Sequence, residues 1–389
     1  LNNKKNHCIM INMAFELFTN IRRSWSSSWS SSFPFGCRTC IVVSILFLKC
    51  FDRGWGLQFG VNGHHPLQVP YKDGAGEITL STQLEELNAL AGPGREIFYR
   101  NDISCQLLEA AARQNEMVEF VRQAAAANVT VLPILFPDMT ELKNSSDLVE
   151  VAEVAKASVV ACATVFDLAG GINVLEIGQE WDNDCILPGR GGNHADDYNQ
   201  TKFQYFHAVL KGMAAGIRHV SPKPRIGINS GGWLHYTYLQ MLIDAGMDFD
   251  IVSWHWYSEM GDLNNSTGPH VDVLQHLVDL GKPIWLTELN RRGGSGSYPP
   301  PQPPSETLQA EWLTHELSLL HNLSLAQPLL QAVMIYELYD QMDIDHNISL
   351  TCFDEAKDPE ACYGLVRVNW TQTSSPPSST FTPSGRKLA

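Results

Sequence analysis

Pro283-Ile284-Trp285-Leu286-Thr287-Glu288-Leu289-Asn290 is an apolar run that ends in an acid and an amide. A strand that is apolar without alternation is buried on both faces, the condition of strands in a parallel sheet covered by helices. Seven more short runs of the same kind can be read outward from it: Leu57–Asn62, Glu96–Arg100, Val129–Phe136, Asn173–Gly178, Pro224–Asn229, Phe249–His255 and Ala332–Glu337. Amphipathic stretches fill the gaps. Leu80, Leu84, Leu87 and Leu90 line one helical face, with Ser81 or Thr82 as its expected cap. Helical patterns follow at 105–127, 147–169, 197–219, 235–245, 269–280 and 305–322, with Gly170, Gly246 and Gly281 as stop signals. Eight strands alternating with seven helices predict an α/β fold, a (β/α)8 TIM barrel. A Rossmann-like open sheet is the structural alternative, weakened because no G-x-G-x-x-G follows the first strand.

The barrel is expected to span 56–370. Residues 1–55, with a low-complexity stretch from Ser24 to Ser32, read as a disordered N-terminal extension. Ile41–Leu48 has the length of a signal-peptide core and is too short to span a bilayer. The tail 371–389 is rich in Ser and Pro, and Gly385-Arg386-Lys387-Leu388-Ala389 reads as the start of an eighth helix, expected to be truncated. A chain of 389 residues that is 44% hydrophobic is long enough for one such core. Its net charge of −15 disfavours nucleic acid and stable association with anionic membranes.

Eight N-x-[ST] sequons, at Asn128, Asn144, Asn199, Asn264, Asn265, Asn322, Asn347 and Asn369, point to an exported, N-glycosylated chain. Of the nine cysteines, Cys352 and Cys362 flank a short acidic loop and are expected to close it as a disulfide.

Catalytic residues of a (β/α)8 barrel sit where strands give way to loops. The strand ends here carry Asn62-Gly63-His64-His65, Arg100-Asn101-Asp102, Gly178-Gln179-Glu180-Trp181-Asp182, Trp254-His255-Trp256-Tyr257, Glu288-Leu289-Asn290 and Tyr336-Glu337. Carboxylates for chemistry, aromatic faces for sugar rings, and amides and imidazoles for hydroxyls together suit a carbohydrate site. His64 and His65 are adjacent, whereas two metal ligands on one strand need an i, i+2 spacing to share a face, so no metal and no cofactor are expected.

The segment Pro283–Glu288 resembles strand seven, and Ser253-Trp254-His255-Trp256-Tyr257 strand six, of glycoside hydrolase clan A, with family thirty-nine the nearest within it. The resemblance covers roughly residues 56–370. It implies a retaining glycosidase acting on a β-linked oligo- or polysaccharide, with Glu180 as acid/base and Glu288 as nucleophile, and with Arg100 contacting that nucleophile. Glu176 and Asp182 compete with Glu180; Glu176 reads as a barrel-interior or salt-bridged residue. Arg100, His64, Gln179, Trp233, His255, Tyr257 and Glu337 are the expected substrate-binding residues. Gln179 stands where the clan has an asparagine before the acid/base. That departure keeps open a glycan-binding pseudoenzyme on the same barrel, and a metal-dependent (β/α)8 hydrolase is a third class.

Overall fold

In the computed structural model, residues 56–64, 72–73, 76–142, 146–170, 172–220, 224–292, 306–339 and 362–366 are described. The N-terminal extension, the loop 293–304, Cys352 of the expected disulfide and the tail 371–389 lie outside the described residues.

Eight parallel strands close into a barrel: β1 (Gln58–His64), β2 (Ile97–Ser104), β3 (Val129–Phe136), β4 (Val174–Ile177), β5 (Arg225–Ser230), β6 (Ile251–Tyr257), β7 (Ile284–Asn290) and β8 (Leu330–Ile335). Each pairs with its neighbours in sequence, and β1 closes the ring against β8 through Gln58 opposite Ala332 and Val61 opposite Ile335. Closure removes both sheet edges and excludes the open-sheet alternative. The helices between strands are α1 (Leu80–Ala91), α2 (Ala111–Ala126), α3 (Leu148–Leu168), α4 (Gln200–His219), α5 (Tyr236–Asp244), α6 (Val273–Asp279) and α7 (Glu306–Ala326).

Local chemistry sets the helix ends. Asp147, Asn199 and Asp272 accept from the backbone N–H groups of Val149, Lys202 and Gln275, satisfying donors that a helix start leaves orphaned. The cap of α1 is Thr79, which accepts from Thr82 N, rather than Ser81 or Thr82 themselves. Residues 105–127 divide into a 3-10 turn at Cys105–Glu109 followed by α2. β2 itself runs on in register with β3 as far as Ser104, opposite Phe136. Gly212 permits α4 to lie against α3, since a Cβ there would sit 2.0 Å from the carbonyl oxygen of Ala152.

Two apolar clusters result. One lies between strands and helices; the other fills the barrel with Phe98, Leu132, Val174, Ile251, Trp285, Ala332 and Met334. Arg100 and Glu176 come two residues after Phe98 and Val174, so they form the next inward layer toward the C-terminal mouth. The apolar layer is the floor on which the polar one stands.

A disulfide joins Cys105, in the turn after β2, to Cys162 in α3. No spacing pattern marked this pair in the sequence. Closing a loop of 57 residues stabilises the fold by about 4 kcal/mol on the chain-entropy estimate. Cys105→Ala/Cys162→Ala is expected to lower the unfolding free energy by a comparable amount, read from urea melts. An unchanged midpoint would show that the link contributes nothing.

Candidate active site

Glu288 faces the barrel interior because β7 slips register. Leu286 pairs with Trp254, yet Glu288 pairs with His255, leaving Thr287 as an extra residue on β7. Strict alternation would turn Glu288 outward with Ile284 and Leu286, which pack against the helices. The bulge instead lets Thr287 and Glu288 both point inward, Thr287 Oγ1 donating to Glu176 Oε1 at 3.3 Å. The carboxylate of Glu288 is held at both oxygens. Its Oε1 accepts from Arg100 Nη1 at 3.0 Å and Gln179 Nε2 at 3.1 Å, and its Oε2 accepts from the Tyr257 hydroxyl at 2.7 Å. Three donors, one of them cationic, suit an ionised carboxylate.

Glu180 reaches the same point from β4 by a different route. Gly178 has φ +75°, and Glu180 itself lies in the left-handed region at φ +51°, which costs a non-glycine residue about 1–2 kcal/mol. Asn229, at the inner end of β5, holds that conformation: its Oδ1 accepts from Glu180 N at 2.7 Å, and its Nδ2 donates to Gly178 O at 2.6 Å. The Glu180 side chain is 31% exposed, whereas Glu288 is nearly covered at 6%. His255 Nδ1 lies 2.6 Å from Glu180 Oε1 and 3.4 Å from Glu288 Oε2. A carboxylate oxygen of each acid and a ring nitrogen of His255 all fall within 4.8 Å of one another. The two acids thus share the C-terminal mouth of one barrel.

Arg100 underlies the pair. Its Nε meets Glu176 Oε2 at 2.6 Å, its Nη1 meets Asn62 Oδ1 at 2.6 Å as well as Glu288, and its Nη2 meets Gln179 Oε1 at 3.2 Å and His255 Nε2 at 3.4 Å. Burial works against its charge, but Glu176 and Glu288 overcome that and keep the guanidinium protonated. Burial also opposes the charged form of His255, yet Glu288 and Glu180 outweigh it, so its pKa is raised against the opposing charge of Arg100. The Tyr257 hydroxyl is held well above the usual phenol range, by burial first and then by Glu288, and so serves as a donor.

The expected contact between Arg100 and Glu288 is present. The expectation that Arg100 binds substrate is corrected: every guanidinium nitrogen already has a protein partner, and the side chain is buried beneath the acids. Glu176 is the salt-bridged interior residue expected from its place in the strand. Asp182 belongs to a separate buried cluster with Ser230, Gly231 N and His235; burial raises its pKa, but His235 and the donors around it bring it below the ordinary value. Glu337 is fully buried and meets His64 Nε2 at 3.1 Å. Trp233 is half-buried at φ +55° with its N–H toward Met260 Sδ, beyond β5. Asn229, and Asn62 at the end of β1, join the network although neither is among the expected substrate-binding residues; each is a polar residue closing an apolar run, the signal that singled out the others.

The spacing of Glu180, His255 and Glu288 would also accept a cation, but the Arg100 guanidinium contacts two of them. A fixed positive charge a few ångströms away disfavours a second one. Arg100→Met removes one partner of a buried pair and leaves Glu176 and Glu288 uncompensated. We expect a loss of about 3–5 kcal/mol in unfolding free energy. Arg100→Lys should recover little, because one ammonium cannot reproduce the planar fork. A denaturant midpoint unchanged in Arg100→Met would contradict this account.

No protein-family model matches the chain, and neither does any curated protein. Among solved structures it is similar to a family 1 β-glucosidase from Thermotoga maritima, at 12% identity and a TM-score of 0.52, over 81% of this chain and 93% of that one. The β-glucosidase from the same organism in complex with noeuromycin matches at 12% identity and a TM-score of 0.52, over 82% and 94%. Identities this low show the fold alone, a (β/α)8 barrel. The expected (β/α)8 barrel is borne out, and family thirty-nine is not confirmed by these matches.

Proposed function

We propose that this protein is a retaining glycoside hydrolase acting on a β-linked glycan, with Glu180 as acid/base and Glu288 as nucleophile. The observation that supports it is the approach of the two carboxylates to within 4.8 Å, oxygen to oxygen, at one barrel mouth. A double displacement needs its carboxyl groups about 5–5.5 Å apart, whereas inversion with an intervening water needs about 6.5–9.5 Å.

In the first step Glu288 attacks the anomeric carbon while Glu180 gives its proton to the departing glycosidic oxygen. The carbon–oxygen bond breaks as the glycosyl ester forms. In the second step Glu180, now a carboxylate, takes a proton from water, and the resulting hydroxide equivalent displaces Glu288. His255 Nδ1, at 2.6 Å from Glu180 Oε1, is within reach to exchange a proton with it. Gln179 Nε2 donates to Glu288, and its oxygen accepts from Arg100 and Asn229. The longer glutamine is thereby locked against the nucleophile with one N–H left for a sugar hydroxyl. His64, Trp233 and Glu337 are proposed to line the sugar site, Trp233 by stacking on a ring face.

Export through the secretory pathway belongs to the same reading. It is supported by the sequons at the exposed Asn264, Asn265 and Asn322 and by the Cys105–Cys162 disulfide. No described helix is long and apolar enough to cross a membrane.

The test is reducing-sugar release from β-glucans, xylans, mannans and galactans, together with a panel of aryl β-glycosides. Hydrolysis of at least one, abolished in Glu288→Ala, is expected. Glycan binding without hydrolysis, unchanged in that variant, would replace the hydrolase by a lectin-like reading. Loss of hydrolysis on adding EDTA would point to the metal-dependent class instead.

A further inference from the structure

Helix α7 turns Gln309, Ala310, Leu313, Glu316 and Leu320 inward, a stripe of three- and four-residue spacing with an acid near its centre. Glu316 is fully buried, and neither of its carboxylate oxygens has a hydrogen-bond partner among the described residues. Buried polar groups are almost always satisfied, so an orphaned carboxylate calls for a partner. Two further ligand-type side chains converge on it. Asp262 lies in the small antiparallel ribbon that follows β6, formed by Gly261–Asp262 and Asn265–Ser266, and His315 is the neighbouring residue on α7. One ligand atom from each of the three lies within 4.8 Å of the other two, and His315 Nε2 stands 3.8 Å from Asp262 Oδ1.

We propose that Asp262, His315 and Glu316 bind a divalent transition-metal ion of the zinc type, which clasps the β6 ribbon to α7. One imidazole and two carboxylates match the mixed nitrogen and oxygen ligands that zinc takes, whereas calcium and magnesium prefer oxygen throughout. A tetrahedral ion needs its ligand atoms about 3.3 Å apart, given bonds of about 2.0 Å. Asp262 and His315 have room to move to that distance, their side chains being 47% and 66% exposed. Glu316 provides the buried anchor. Burial, and then the charge of Asp262, pushes its pKa up to about 8, so ion binding displaces a proton from this acid. None of the three belongs to the hydrogen-bonded network around Arg100. The site is therefore independent of the proposed hydrolase chemistry and stands or falls separately from it.

The full chain, stripped with a chelator and dialysed, is titrated with Zn²⁺, with bound metal counted by plasma mass spectrometry and affinity taken from calorimetry. A single zinc ion per chain and a raised melting temperature are expected. His315→Ala and Asp262→Asn alter exposed side chains and leave the core intact; each should weaken zinc binding by about 10–100-fold or more. Glu316→Gln should do the same while keeping the side chain's shape. The idea is overturned by failure to take up stoichiometric zinc, or by unchanged affinity in His315→Ala and Asp262→Asn. Zinc lost in Glu288→Gln but kept in His315→Ala would place the ion at the acid pair and overturn it equally. Displacement of zinc by a modest excess of Ca²⁺ would overturn the assigned ion class.

Discussion

Glu288→Ala is expected to abolish turnover of every substrate the wild-type protein cleaves, with kcat falling by roughly 10⁵–10⁶-fold, as when a covalent nucleophile is removed elsewhere. The size follows from the chemistry. Without the carboxylate no glycosyl ester forms, and both displacements disappear together. The same substitution frees Arg100 Nη1 and the Tyr257 hydroxyl from their shared partner, so a folding defect must be separated from a chemical one. Two measurements do so. Glu288→Gln keeps the side-chain volume and should be equally inactive with a near-native circular dichroism spectrum. Azide supplied to Glu288→Ala should restore cleavage of activated aryl β-glycosides and yield the glycosyl azide of inverted configuration, because the small anion attacks from the face Glu288 vacates. A purely structural role for Glu288 would give no such product.

For Glu180→Ala the expected loss depends on the leaving group. A dinitrophenolate departs without a proton, so formation of the glycosyl ester should be nearly unaffected. An alkyl or sugar leaving group needs the proton, and its cleavage should slow by about 10²–10⁴-fold. The second step also loses its base, so the ester accumulates and KM for activated substrates falls along with kcat. Azide should now accelerate that step and give the glycosyl azide of retained configuration. Asn229→Ala should mimic part of this loss through the backbone of Glu180, since it removes the acceptor that stabilises the left-handed conformation. Equal losses of kcat/KM on dinitrophenyl and alkyl glycosides in Glu180→Ala would contradict the acid/base assignment.

All eight strands were legible because each is a short apolar run set between amphipathic stretches, and β3 begins and ends where the pattern predicts. The inward orientation of Glu288 was not. It depends on the register slip at Thr287, a property of how β7 meets β6 that no single-strand pattern carries. The αL conformation of Glu180 was equally hidden, because the residue that holds it, Asn229, is 49 positions away in sequence. Arg100 was read from its strand end as a sugar contact. Its depth beneath the acids emerges only when Asn62, Glu176 and Gln179 close around it. Glu316 looks like an ordinary helical acid until the packing of α7 shows it on the buried stripe. Cys105 and Cys162 likewise come from elements that are neighbours only in the folded chain.

The proposed double displacement requires a covalent bond between Glu288 and a sugar, and that bond can be trapped. Dinitrophenyl 2-deoxy-2-fluoro-β-glycosides form the ester but release it slowly, because the fluorine destabilises the second transition state. The protein is incubated with a set of such compounds bearing different sugars, then digested and mapped by tandem mass spectrometry. A stoichiometric adduct on Glu288 is predicted for the sugar whose unfluorinated glycoside is turned over. An adduct on any other residue, or none while that glycoside is hydrolysed, would contradict it.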